Sequence, residues 1–419
     1  MADRHGRESF WDPYRGEAFV HSSLSGGQID TDTLSELPKE LPFSIEEYQE
    51  RLRLVRQGMK ERNLEVLLVH YPPSVFYLSG HQSMAMYSFE CVILPLNDDP
   101  TLIVHPPEIG GALLHSWFPR LFGYNPNKSR EKFIAELLSE QGLDKTRIGV
   151  EMQNLALSIE RYNDLRVELP NAAIVDGSGI MESVKACKSP KEIDYLRESA
   201  KMTNLGMKAA LETVSEGKTD NDVAAQASLA MLQAGSEYLS TGPIVTSGQR
   251  SGILHSTHKR VHLNRGDAVL IEMGGCYNRY TTPLMRSVSI GKPNSEVEKL
   301  TDACLIAIDN VLSTLRPGIT ADEVARAGWE GLSKAGPEVV SHGNFGYAVG
   351  AGFPPGWADG TGIIELGVQT KLKPGMVFHH PIALRSLGKF SVAFSETSVI
   401  TENGCELLTT RTPKSLPII

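Results

Sequence analysis

Glu272 closes the apolar run AVLIEMGG, which places a carboxylate at the end or inner face of a buried strand. Burial raises a carboxyl pKa and a neighbouring cation lowers it, so this group can be set as a base or a nucleophile. The alternative is structural, with Glu272 paired to Arg286 or to a backbone amide. His255 lies upstream in IVTSGQRSGILHSTHKR, and an imidazole titrating near neutrality suits proton transfer. It also reads as a solvated loop histidine, since His258 and His262 follow within eight residues; with no acidic residue nearby, the trio is a poor metal cluster. Glu396, in FSETSV, is a second carboxylate able to bind a cationic group or orient water, or else a strand-edge charge facing solvent. Arg286 can hold a substrate carboxylate through a bidentate fork, or pair structurally with Glu272 or Glu396.

The elements that must position these groups are legible from caps and alternation. The stretches GPIVTSG, DAVLIEMGG, LMRSVSIG, GMVFHHPIAL and FSVAFSETSVI read as strands. Helices open between them at Thr219 with Asp222 and at Thr320 with Glu323, and close at Gly235 and Gly336. The sharpest start is KSPKEIDYLRESAKM, where Ser189 serves as N-cap, Pro190 as N1 and Glu192 as the N3 partner. It marks a domain boundary, with a carboxy-terminal domain over 188–419. Upstream, Ser44 and Glu47 form a capping box before an amphipathic helix carrying Ile45, Tyr48, Leu52, Val55 and Met59. Strands VLLVHY, CVILPL, TLIVH and RIGVE, with a helix near Glu131 to Gln141, predict a mixed α/β domain over 43–187. Residues 1–42 show no sustained periodicity and read as an extension. The fold class is α+β.

Composition narrows the function. With 41% hydrophobic and 22% charged residues over 419 positions, two packed domains are expected. No apolar run approaches the roughly 20 residues of a spanning helix and the amino terminus has no secretory core, which predicts no membrane partner and a cytoplasmic location. A net charge of −9 without a Lys/Arg block excludes a phosphate-backbone footprint, so no nucleic-acid partner is expected. The five cysteines lack C-x-x-C spacing and read as reduced thiols.

The segment IEMGGCYNRYTTPLMRSVSIG, with HGNFGYAVG, MVFHHPIAL and FSETSV, resembles the M24 family: methionine and Xaa-Pro aminopeptidases, prolidase, creatinase and ectoine hydrolase. Counting from Arg286, the family's metal-ligand positions fall on Glu272, Pro283, Tyr347 and Pro381, and the last on or beside Ser395, with Glu396 next to it. Hard divalent ions need several converging oxygen donors, which this set does not supply, so no metal and no cofactor are expected. GGCYNRYTTPLMR, FGYAVGAGFPPGWAD and LKPGMVFHH are similar to ectoine hydrolases in particular, and creatinase is the more distant metal-free cousin. The resemblance implies a creatinase-like amino-terminal domain, and a "pita-bread" domain with a curved antiparallel sheet flanked by helices. It also implies a homodimer in which the stretch holding Phe76, Tyr77 and Tyr87 reaches the partner's site.

The site residues follow residue by residue. The resemblance promotes His255 to proton transfer and Glu272 to the attacking or activating carboxylate, with Glu396 as a third catalytic group. Tyr87, Tyr280, Thr282, Arg286, Tyr347, Trp357 and His379 are implied as substrate-binding, the aromatics enclosing a small cation and His379 pointing inward while His380 points away. The implied activity is metal-independent hydrolysis of a C–N bond in a small amidine-type molecule. Both metal-free branches act at an amidinium carbon, which protonation already polarises. Thr281, Thr282 and Met285, and Met84 to Tyr87, depart from the ectoine-hydrolase pattern, so the substrate can be another small solute. The rivals are a creatinase-like amidinohydrolase, a hydrolase of another cyclic amide, an Xaa-Pro peptidase, an osmolyte lyase and a binding protein without catalysis.

Overall fold

The computed structural model describes residues 38–84, 88–124 and 129–419, and the backbone of the strand Phe19–His21. Tyr87 and most of the 1–42 extension lie outside these residues. The chain divides into two compact units, the first ending at Val184 and the second running from Lys185 to Ile419.

The first unit is built on a mixed sheet of β1 (Phe19–His21), β2 (Val66–Val69), β3 (Glu90–Pro95), β4 (Thr101–Val104), β5 (Arg120–Gly123), β6 (Arg147–Val150) and β7 (Ala173–Asp176). The strand order is β1-β5-β4-β3-β2-β6-β7, and only β3 runs antiparallel to its neighbours β2 and β4. Alternation along β2 explains its unbroken apolar sequence. Leu67 and Val69 pack with Leu52, Val55 and Met59 of helix Ile45–Glu61, whereas Val66 and Leu68 pack with Ile134 and Leu138 of helix Arg130–Glu140. The stretch PPSVFYLS, between β2 and β3, is a helix, Pro72–Ser79. Prolines at its first two positions suit the N-terminal turn, and the Glu151 carboxylate accepts the His70 and Tyr71 amides at its start. The Ser44 cap forms, but only half of its box: Glu47 turns to Arg51 instead.

The second unit carries β8 (Ile244–Ser247), β9 (Ala268–Tyr277), β10 (Tyr280–Ser289), β11 (Val340–Ser341), β12 (Asn344–Phe353), β13 (Gly356–Glu365), β14 (Val377–Ser386), β15 (Phe390–Ile400) and β16 (Cys405–Leu407). The sheet path is β16-β15-β14-β12-β10-β9-β8, all antiparallel, with β11 added to β14 and β13 to β12. The expected capping boxes at Ser189, Thr219 and Thr320 are complete, and they open helices Pro190–Thr213, Asp220–Gln233 and Ala321–Leu332. The last helix stops at Leu332, short of Gly336.

Two details fix the distance between helix Pro190–Thr213 and the sheet. A side chain at Gly275 would meet the Met202 Cβ at 2.8 Å, so glycine allows the close approach. Ser199 Oγ donates to the Gly275 carbonyl at 2.8 Å, and Thr203 Oγ1 to the Thr282 carbonyl at 2.7 Å. Val269, Ile271 and Met273 of β9 pack toward the helices, which leaves Leu270 and Glu272 on the opposite face. Among the described residues no helix is long and apolar enough to cross a membrane.

Candidate active site

The face of the sheet turned away from helix Pro190–Thr213 borders a cavity of about 330 Å³ within the second unit. Ile244, Leu270, Met285 and Pro381 give it apolar walls, and Glu272, His255, Tyr347, His342, Asn344 and Arg385 bring its polar groups. Glu272 is the one carboxylate on these walls among the described residues. It is only 6% exposed, and no described side chain or amide donates to it. Burial pushes its pKa up to about 7, and the more distant positive charge of Arg385 acts in the opposite direction.

Of the three clustered histidines, His255 is the one on the cavity wall. His258 Nδ1 sits 3.1 Å from the Pro243 carbonyl and His262 Nδ1 3.3 Å from that of Gly217, whereas His255 is exposed at the rim. Its φ of 57° lies in the left-handed region, which non-glycine residues seldom occupy and which recurs at functional sites. Tyr347 borders the cavity and is held from behind. Trp357 Nε1 donates to its hydroxyl at 2.8 Å, and His379 Nδ1 lies 3.5 Å from the same oxygen. Burial, followed by the Glu272 charge, raises the phenol pKa, so Tyr347 stays protonated. His379 is fully buried and neutral, its pKa pushed well below the ordinary value by burial and then by the charges around it. Trp357 and His379 therefore act on the cavity through Tyr347.

Four expected positions are placed elsewhere. Arg286 follows Met285 and so points to the other face of β10, where it donates to the Met285 carbonyl at 2.8 Å, the Ser395 carbonyl at 2.6 Å and the Thr410 carbonyl. Its Nη2 also meets Glu396 Oε1 at 3.3 Å. Glu396 is 0% exposed, and Thr409, Thr412 and Arg286 take up its two oxygens. Neither residue lines the cavity, which corrects the expectation of a second carboxylate there. Tyr280 donates to Glu192 Oε1 at 2.7 Å and Thr282 to the Leu196 carbonyl at 2.7 Å; both lock helix Pro190–Thr213 to the sheet. Tyr87 lies outside the described residues.

Arg385, His342 and Asn344 were not among the expected site residues, although signals for two of them exist. The alternation that turns Pro381 inward also turns Arg385 inward, and His342 opens the motif HGNFGYAVG. A metal pair does not fit this cavity. Pro283 and Pro381 have no side-chain donor, the Tyr347 oxygen takes the Trp357 N–H, and the Arg385 guanidinium already supplies a positive charge. Among the described residues no three His, Cys, Asp or Glu side chains cluster to hold an ion.

Residues 194–402 match the model of metallopeptidase family M24, and residues 51–187 match the creatinase/prolidase N-terminal domain. The chain belongs to the M24 family, with a creatinase-type amino-terminal domain ahead of a pita-bread domain. Among curated relatives, it is 28% identical over 386 residues to the ectoine hydrolase of Halomonas elongata, covering 88% of this chain and 96% of that protein. It is 26% identical over 372 residues to an Xaa-Pro dipeptidase of Pyrococcus furiosus, covering 86% and 98%. The solved prolidase of Pyrococcus horikoshii shares the fold with a TM-score of 0.77 at 22% identity, over 88% of this chain and 100% of that one.

Proposed function

We propose that this protein hydrolyses a C–N bond in a small amidine-type solute without a metal, opening the ring of ectoine or a close analogue. The observation that carries the proposal is Glu272: among the described residues it is a buried carboxylate without a hydrogen-bond donor and alone of its kind on the cavity wall, where two other family positions have become Tyr347 and Pro381. Identity to an Xaa-Pro dipeptidase is nearly as great, at 26%, but Pro283, Tyr347 and Pro381 do not supply the converging oxygen donors that a two-metal hydrolytic site needs. An amidinium carbon needs no Lewis acid, because its own positive charge makes it electrophilic.

In the proposed reaction Glu272 ionises as the cationic solute enters, since an adjacent cation reverses the burial effect on its pKa. The carboxylate then adds to the amidinium carbon, or takes a proton from a water that does so. The ring C–N bond breaks, and His255 gives the departing nitrogen a proton. Water supplies the oxygen of the amide product and, where Glu272 attacked directly, releases its carboxylate. Tyr347, kept protonated and oriented by Trp357 and His379, offers an O–H and an aromatic face to the bound cation. Incubation with ectoine, followed by proton NMR, tests the reading. Acetylated diaminobutyrate should appear, and an unchanged spectrum at high protein concentration would refute ectoine as the substrate.

A further inference from the structure

The cavity wall formed by Arg385, His342 and Asn344 holds three polar atoms that the described residues do not satisfy: Arg385 Nε, His342 Nδ1 and Asn344 Oδ1 are all buried without a hydrogen-bond partner among them. Buried polar atoms left unpaired are costly and uncommon, so three on one wall call for a ligand. Arg385 is 4% exposed, and its Nη2 is 3.0 Å from His342 Nε2. Arginine can only donate, so His342 Nε2 accepts, and the neutral ring carries its proton on Nδ1. Neutrality agrees with the His342 pKa, lowered to about 4 by burial and then by the charges of Arg385 and His255. The wall thus presents two donors, one of them cationic, and one acceptor.

Arg385 is not committed to Glu272. The two come from β14 and β9, and among the described residues no hydrogen bond or ion-pair contact joins them; the guanidinium acts on the carboxyl through its charge alone. The other groups that face Arg385 are His342 and the thiol of Cys304, which donates to the Val392 carbonyl.

Resting on the amidine-hydrolase reading, we infer that Arg385 and His342 bind a carboxylate of the solute and that Asn344 accepts an N–H next to that carboxylate. The substrate class is therefore a zwitterion: a cationic amidine end against Glu272 and Tyr347, and a carboxylate on a carbon that bears an N–H at the opposite wall. Arg385 takes the place that Arg286 was expected to fill, because Arg286 lies on the other face of the sheet.

The test compares ectoine with its carboxamide, in which the carboxylate is replaced by a neutral amide of similar shape, by calorimetry on the full chain. The acid should bind the wild-type protein roughly 10- to 100-fold more tightly than the carboxamide, the range for a charge-assisted hydrogen-bonded contact. Arg385→Gln should erase that difference by weakening the acid alone, and Arg385→Lys should restore part of it. Equal affinity of acid and carboxamide for the wild-type protein would overturn the subsite, as would no binding of the acid or equal weakening of both by Arg385→Gln. The wild-type comparison holds even if the variants fail to fold. Ring opening in the same samples reports separately on the reaction. Turnover without acid selectivity removes the subsite and leaves the hydrolase, whereas acid selectivity without turnover removes the hydrolase and leaves the subsite.

Discussion

Arg286 Nη2 meets Glu396 Oε1 at 3.3 Å on the face of the sheet opposite Glu272, within a closed set of bonds to Ser395, Thr409, Thr410 and Thr412. Two charges with the right chemistry for a substrate are thus spent on tying β10, β15 and the carboxy-terminal segment together. Removing one partner of a buried pair leaves the other uncompensated, at about 3–5 kcal/mol. Arg286→Met and Glu396→Gln should therefore lower the denaturation midpoint strongly while leaving kcat/KM per folded molecule within a few-fold of wild type. A fully stable Glu396→Gln protein without activity would return Glu396 to the chemistry.

Glu272 has the opposite profile. Its pKa of about 7 in the fold exceeds the ordinary 4.5, so the folded state holds its proton longer than the unfolded chain. Its contribution to stability is full below about pH 4.5 and is lost as pH rises through 7, a change on the order of 3 kcal/mol. Glu272→Gln should be more stable than wild type above pH 7 and equal to it below pH 4.5, with turnover reduced at least about 100-fold. Parallel urea titrations at pH 4 and pH 8 measure the first part; a pH-independent difference would mean that the carboxyl is solvated.

The same ionisation shapes the rate. In the free protein Glu272 is half-protonated near pH 7, so kcat/KM should rise with pH to a plateau above about 7. A cationic substrate lowers that pKa once bound, and the rising limb of kcat should then sit at lower pH than that of kcat/KM. Superimposed limbs would contradict a charge contact between Glu272 and the substrate.

How much of this was readable in sequence depends on phase. Helix starts at Ser189, Thr219 and Thr320 were legible because a capping box is a local device. Glu272 was legible because it ends an apolar run. Glu396 was expected in the cavity and stands on the other face because one residue of phase decides the side of a strand, and the motif alignment left open whether Ser395 or Glu396 held the family position; of the two readings of Arg286, structural pairing with Glu396 is the one the geometry shows. In the structure Ala393 packs with Leu270 and Met285, while Phe394 joins the helix-side core, which fixes that phase. Arg385 could have been found by carrying the Pro381 alternation four residues further. Helix Pro72–Ser79 was missed because two prolines suggest a turn unless they fall in the first helical turn.

His255 is assigned proton transfer to the leaving nitrogen. His255→Asn should reduce kcat by about 100-fold or more with KM nearly unchanged, since the residue lies at the rim and binds no ground-state charge in this scheme. An increase in KM alone would instead make it a binding residue.

The central claim is hydrolysis without a metal at Glu272. The most direct measurement is turnover of ectoine and of an Xaa-Pro dipeptide by protein stripped with chelator, before and after adding back manganese, cobalt or zinc. Ring opening of ectoine at an undiminished rate in the stripped protein, with no dipeptide cleavage under any condition, is the predicted result. Loss of ectoine turnover on stripping with recovery on metal addition, or dipeptide cleavage by the metal-loaded protein, would contradict the account.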